Sequence, residues 1–141
     1  MNELFDNLKW IAIIVATLAY FILGAIWYSK MLFATKWISY VKINMNDPNA
    51  KKGMGMMFVG SFIMMFIQCL AIAILADKLH VIGGWLSGIK IGAFTACCFC
   101  SSTVAINYFY EKRPLGLFYI NAGYSLVGNI IAGIIICSWK N

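Results

Sequence analysis

Four long apolar runs dominate the chain, at about residues 8–28, 54–76, 86–107 and 117–138, none with a charge at its centre; Lys90, in the first turns of the third, can snorkel. Crossing the hydrocarbon core of a bilayer as a helix takes about 20 mostly apolar residues, and each run is that long. In lipid, only helices and closed barrels satisfy every backbone N–H and C=O. The runs are about twice the length of a barrel strand and do not alternate, which excludes a β-barrel. Of the 141 residues, 62% are hydrophobic and only 11% charged, and the mean hydropathy is +0.82. A soluble domain is about half apolar, with about a quarter of its residues charged. A soluble globular domain, a disordered chain and a nucleic-acid module are therefore excluded. The expectation is an all-α membrane protein: a single integral membrane domain over residues 1–141, built as a four-transmembrane-helix bundle.

The first run does not read as a cleavable signal peptide. Glu3 and Asp6 precede it in place of a basic segment, and it ends in Trp27-Tyr28 with no small-residue cleavage site. The longest loop follows. From Lys30 to about Lys42 it mixes lysines with Met31, Leu32, Phe33, Trp37 and other apolar residues. That mixture predicts a short helix lying in the interface after helix one. Asn46, Asp47, Pro48 and Asn49 then predict a turn.

The formal net charge is +6. In a membrane protein, basic loop residues mark the cytoplasmic side and meet anionic lipid. The first and third loops carry Lys30, Lys36, Lys42, Lys51, Lys52, Lys112 and Arg113, against Lys9, Lys78, Lys90 and Lys140 on the other side. This balance places both termini outside, in an inner or plasma membrane. The partners expected are membrane lipids and other membrane subunits or further copies of the chain, and no nucleic acid.

Helix three carries small residues every four positions: Gly88, Gly92, Ala96 and Cys100. Such a face lets two helix backbones approach closely, which drives association in lipid. It serves either a tight crossing within the chain or an oligomer interface. Helix four carries the row Asn121, Ser125, Asn129, Gly133 and Cys137. Steps of four stay near one face of a helix. Polar groups in a span point into the protein and seek partners, so the row is either an interhelical hydrogen-bond seam or the lining of a polar pathway. Gln68 in helix two is a plausible partner for Asn129, and Ser101, Ser102 and Thr103 extend the same set.

The end of helix three, with Asn107, Glu111 and Arg113, reads as a cytoplasmic clamp closed by Pro114. Trp10, Trp27, Tyr28, Trp37, Trp85 and Trp139 all fall near expected interfaces, as an aromatic belt does.

No catalytic, metal or cofactor site is expected. All five cysteines lie inside apolar runs, where a free thiol acts as a small hydrophobe. Cys97 and Cys100 have CxxC spacing, but there is no second such pair, and the single histidine, His80, lies in a distant loop. Thioethers can bind copper(I), but the methionines suit adaptable packing.

Trp27, Tyr28 and Ser29, then Leu32 and Phe33, then Trp37, together with Glu111, Arg113, Pro114 and Leu115, resemble the DUF1761 family of small membrane proteins. The resemblance covers essentially the whole chain. It implies a four-helix membrane domain and no assigned activity. Members often carry Asp at the position of Asn121 and His at that of Ser125, and this chain departs from them there. The resemblance therefore brings no proton or metal role to these two positions.

The function expected is that of a small non-enzymatic integral membrane protein acting by helix association, as a homo-oligomer or an accessory subunit. The alternative is a small oligomeric channel or transporter lined by Gln68, Asn121, Ser125 and Asn129.

Overall fold

The computed structural model describes residues 5–42, 53–81 and 83–139. Among these residues there are five helices and no strands. They are α1 (Trp10–Trp27), α2 (Ala34–Val41), α3 (Met54–Lys78), α4 (Gly84–Glu111) and α5 (Leu115–Ser138). Four of them, α1, α3, α4 and α5, are long and apolar enough to cross a membrane. The chain is therefore an all-helical protein with four membrane-length helices, as its apolar runs predict. The turn expected at residues 46–49 lies outside the described residues.

The helix ends follow local chemistry. Gly83 and Gly84 lead into α4 at φ 135° and 60°, a region that costs glycine little. Lys112 leaves α4 through a left-handed conformation at φ 52°, and Arg113 N–H closes the turn onto Tyr108 O at 3.1 Å. Pro114 is extended and sits just ahead of α5, where its missing N–H costs nothing and its fixed φ suits a helix start. At the opposite end of the bundle, Lys9 Nζ donates to Trp139 O at 2.6 Å, tying the entry of α1 to the exit of α5.

The closest helix pair is α4 with α5. A Cβ on Gly88 would run into the backbone of Gly133 and Ile134. One on Gly92 would run into the backbone of Asn129 and Ile130, and one on Gly133 into Gly88 O. Backbone rests on backbone, the arrangement that small residues permit and that lipid favours. Helix α1 packs on α5 and on α3, burying Ala12, Ile13, Ala16, Thr17 and Tyr20, which repeat along one face. The Tyr20 ring rests against Gly128, where any Cβ would overlap it.

Helix α3 joins unevenly. It buries only Cys69, Ile72 and Ala73, all in its second half. Its first half reaches the bundle through Phe58 and Phe62, whose rings stand edge-on to Phe21 at 6.4 and 5.6 Å.

Helix α4 contains a π-helical turn over Ala96–Ser101 that nothing in the sequence periodicity signals. In a straight α-helix the 12 residues from Ala96 to Tyr108 advance three turns and about a further 120°. Tyr108 would then leave the inward face. A π turn takes more residues per turn and so retards the face. Cys100 is consequently half-buried and Tyr108 buried, in line below the buried Ala96. Ser102 Oγ donates to Cys98 O at 2.6 Å, and Thr103 Oγ1 to Phe99 O at 2.7 Å. These two hydroxyls serve carbonyls loosened by the turn. They are exposed on the helix surface and do not join the polar row of α5, contrary to the sequence expectation.

Candidate functional site

The polar side chains of the spans gather in two clusters on the inner face of α5. The first joins the ends of three helices. Tyr28, just past α1, donates from its hydroxyl to Asn121 Oδ1 at 2.8 Å. Asn121 Nδ2 donates to Tyr108 Oη of α4 at 2.7 Å. Both partners of Asn121 are aromatic hydroxyls, so a neutral amide satisfies the position without a charge. Beside it, Trp27 Nε1 donates to the carbonyl of Ile120, the residue before Asn121, at 3.1 Å.

The motif after α1 holds this cluster in place. Ser29 Oγ donates to Ile26 O at 2.7 Å and accepts from Met31 N–H at 3.2 Å, folding the chain back. Phe33 N–H reaches Trp27 O at 3.1 Å, and its ring packs on Trp27 at 4.9 Å. Leu32 is exposed. The turn delivers α2 so that Trp37 stands edge-on to Tyr28 at 5.7 Å and Tyr40 lies over Gly116 of α5. Ala34, Trp37 and Ile38 form the inner face of α2, and Lys36 is exposed, as an interfacial helix requires. Trp27 and Tyr28 thus do more than belong to an aromatic belt, since both use their polar atoms inside the bundle. Trp10 and Trp85 are exposed, at 46% and 62%, as belt residues are.

Of the expected clamp, Glu111 and Arg113 pair with each other, and the Arg113 guanidinium lies 5.7 Å from the Tyr108 ring centroid. Asn107 is exposed and takes no part in that arrangement. In a straight α-helix Asn107 would fall about 20° from the line of Ala96; the π turn shifts the face and gives that position to Tyr108. Replacing Tyr28 or Tyr108 by Phe is expected to cost about 1 kcal/mol each, the net value of one hydrogen bond. Hydrogen exchange should then speed up at the adjoining ends of α1, α4 and α5 while the α4–α5 glycine crossing stays protected.

The second cluster centres on Asn129, which is fully buried. Its Nδ2 donates to Ser125 O at 2.7 Å and to Tyr20 Oη at 3.2 Å. Its Oδ1 accepts from Thr95 Oγ1 at 3.4 Å. The single Thr95 hydroxyl proton is shared with Ile91 O and Gly92 O, both nearer at 3.0 Å. Among the described residues, no buried side-chain nitrogen or oxygen lacks a partner. Gln68 does not reach Asn129 directly. Its amide N–H donates to Cys100 Sγ, which lies 3.9 Å from Asn129 Nδ2, so the thiol stands between the two amides.

The four-residue face of α4 has its partner within the chain. Gly88 and Gly92 lie against α5, Ala96 is fully buried, and Cys100 turns to Gln68 and Asn129. The polar row of α5 splits into separate environments: Asn121 among tyrosines, Ser125 beside a groove, Asn129 sealed, and Gly133 under Gly88. Gly128 escaped the sequence reading, as did Tyr20 and Thr95. A glycine next to Asn129 was the one available signal for the Tyr20 contact.

Cys97 and Cys98 are exposed on the π turn and Cys69 is buried; all five cysteines are free. Among the described residues, no three His, Cys, Asp or Glu side chains gather at one point. His80 lies at the far end of the bundle, with Nδ1 2.9 Å from Asp77 O.

No curated protein and no solved structure matches the chain. The family model for DUF1761, described as a protein of unknown function, matches residues 11–137. That match takes in both clusters, the turn motif and all four long helices. The chain belongs to the DUF1761 family.

Proposed function

We propose that the protein is a small, non-enzymatic, multi-pass membrane protein that acts by helix association, as a homo-oligomer or an accessory subunit of a membrane complex. The observation that carries this reading is the uneven packing of α3. Met56, Val59, Ile63 and Ile67 repeat along one side of that helix at 47–82% exposure, and Gly55 on the same side has nothing within 4 Å of where a Cβ would stand. Small and apolar residues on an uncovered stripe suit a neighbouring helix. This stripe replaces the glycine face of α4, which α5 already covers. The basic first and third loops orient the bundle with its termini outside, in an inner or plasma membrane.

Cysteine crosslinking in native membranes tests the reading. Val59→Cys, made in a chain with Cys97→Ser and Cys98→Ser and labelled with a thiol-reactive photocrosslinker that captures a second copy or a foreign subunit alike, should give a crosslinked band from α3, and Ile14→Cys on α1 should give none. Monomers alone for Val59→Cys, or equal crosslinking at both positions, would contradict it.

The second reading, a channel or transporter lined by the polar row, draws support from one observation. Gln68 and Ser125 both border an open groove. Against it, Asn129 interrupts the row, fully buried and with its amide N–H groups taken by Ser125 O and Tyr20 Oη, and a transporter usually places buried charge or broken helices near mid-membrane.

A further inference from the structure

Where α3 leans away from α5, a groove of about 480 Å³ opens along one side. Tyr20 forms part of its floor. Met57, Gly60, Ser61, Met64, Met65 and Gln68 supply the α3 wall, and Tyr124 and Ser125 the α5 wall. We infer that this groove is a lateral binding site for one neutral, hydroxyl-bearing lipid-like molecule of the long-chain or isoprenoid alcohol class. Its hydroxyl would lie at Gln68, Ser125 and Tyr124, and its chain along Gly60 and the methionines.

Three observations select that occupant. The first is size. A volume of about 480 Å³ lies within the roughly 300–1,000 Å³ of small-molecule sites. The second is charge. None of the lining residues carries a charge at neutral pH, so nothing pairs with a phosphate or an ammonium group. Burying such a group unpaired in hydrocarbon is prohibitive, and a phospholipid head is therefore excluded.

The third is hydrogen bonding. Gln68 lines the groove, and among the described residues the one bond of its side chain is its amide donation to Cys100, which leaves its carbonyl oxygen available to a ligand. The Tyr124 hydroxyl has only distant acceptors, Tyr20 O at 3.5 Å and Met65 Sδ at 3.6 Å. Both distances lie at the weak limit of hydrogen bonding. A ligand hydroxyl can donate to the first and accept from the second. The wall beside it is adaptable: Gly60 has nothing within 4 Å of a Cβ, and methionines mould to irregular chains.

The test uses the full chain in nanodiscs of phosphatidylcholine. The probe is a hexadecanol carrying a diazirine and an alkyne, compared with a phosphatidylcholine carrying the same groups on its chain. Sites of photolabelling are read by peptide mass spectrometry. The alcohol should label the 57–68 segment of α3 in excess of other lipid-facing segments, and unlabelled hexadecanol should compete. Gly60→Leu, which fills the groove, should reduce that labelling by about tenfold, and Gln68→Leu should also reduce it. Ile14→Ala, on the exposed side of α1, should leave it unchanged. Thermal unfolding of each variant verifies the fold, and Gly60→Leu should hold because its Cβ meets open space. Alcohol labelling spread evenly over lipid-facing segments would overturn the proposal. So would equal labelling by the phosphatidylcholine probe, or labelling that Gly60→Leu does not alter in a folded protein.

Discussion

Gly92→Leu should separate α4 from α5 and cause the largest loss of stability of any single glycine substitution in the helix pair. The Cβ alone would meet the carbonyl and Cα of α5 at Asn129 and Ile130, and backbone cannot rotate aside as a side chain can. Overpacking a closed core costs about 1–3 kcal/mol, occasionally more. A clash of backbone with backbone belongs at the upper end. The neighbouring hydrogen bonds go with it, because Thr95 Oγ1 bonds to both Gly92 O and Asn129 Oδ1. Unfolding in mixed micelles should show a loss of about 3 kcal/mol or more for Gly92→Leu. Gly60→Leu should fall near zero or become slightly more stable, since replacing glycine within a helix gains up to about 1 kcal/mol. Equal effects at the two glycines would show that the α4–α5 crossing does not hold the bundle together.

The second large effect is expected at Asn129. Asn129→Ala removes the donor to Tyr20 and the acceptor for Thr95, and it leaves a void in a fully buried place. Losing a buried hydrogen-bond partner costs about 1–3 kcal/mol. Measured couplings between polar side chains in membranes are smaller, averaging about 0.6 kcal/mol with a maximum near 1.7. Asn129→Ala should therefore destabilise by about 2 kcal/mol in total. In a double-mutant cycle with Tyr20→Phe, about 1 kcal/mol should appear as coupling. The same variant separates the two functional readings. A stability loss with association unaltered marks the row as a seam. A change in solute flux with stability intact would mark it as a pathway.

Much of the architecture is legible in the residues. The length of the four runs requires spanning helices, and the structure places those helices within a few residues of the expected bounds. The Lys-aromatic mixture after Tyr28 announces α2. Glycine spacing in α4 announces a close crossing, and the structure supplies the other half from Gly133 and the Asn129 backbone.

What stayed hidden depends on tertiary detail. The π turn arises where hydroxyls of Ser102 and Thr103 take up carbonyls of Cys98 and Phe99, a local competition that no apolar period records. Its consequence is large, because it exchanges Asn107 for Tyr108 on the inward face. Tyr20 looked like one more apolar residue of the first run until Gly128 made room for its ring. The Asn121 cluster joins Tyr28 to Tyr108, partners 80 residues apart in the chain, which a one-dimensional pattern cannot pair.

Native mass spectrometry of the protein released from lipid nanodiscs tests the proposed association most directly. The expected result is a discrete assembly, either several copies of the chain or the chain with stoichiometric foreign membrane subunits. A foreign subunit would also name the process served. Monomers alone, across a range of lipid compositions and gentle extraction conditions, would contradict association as the mode of action.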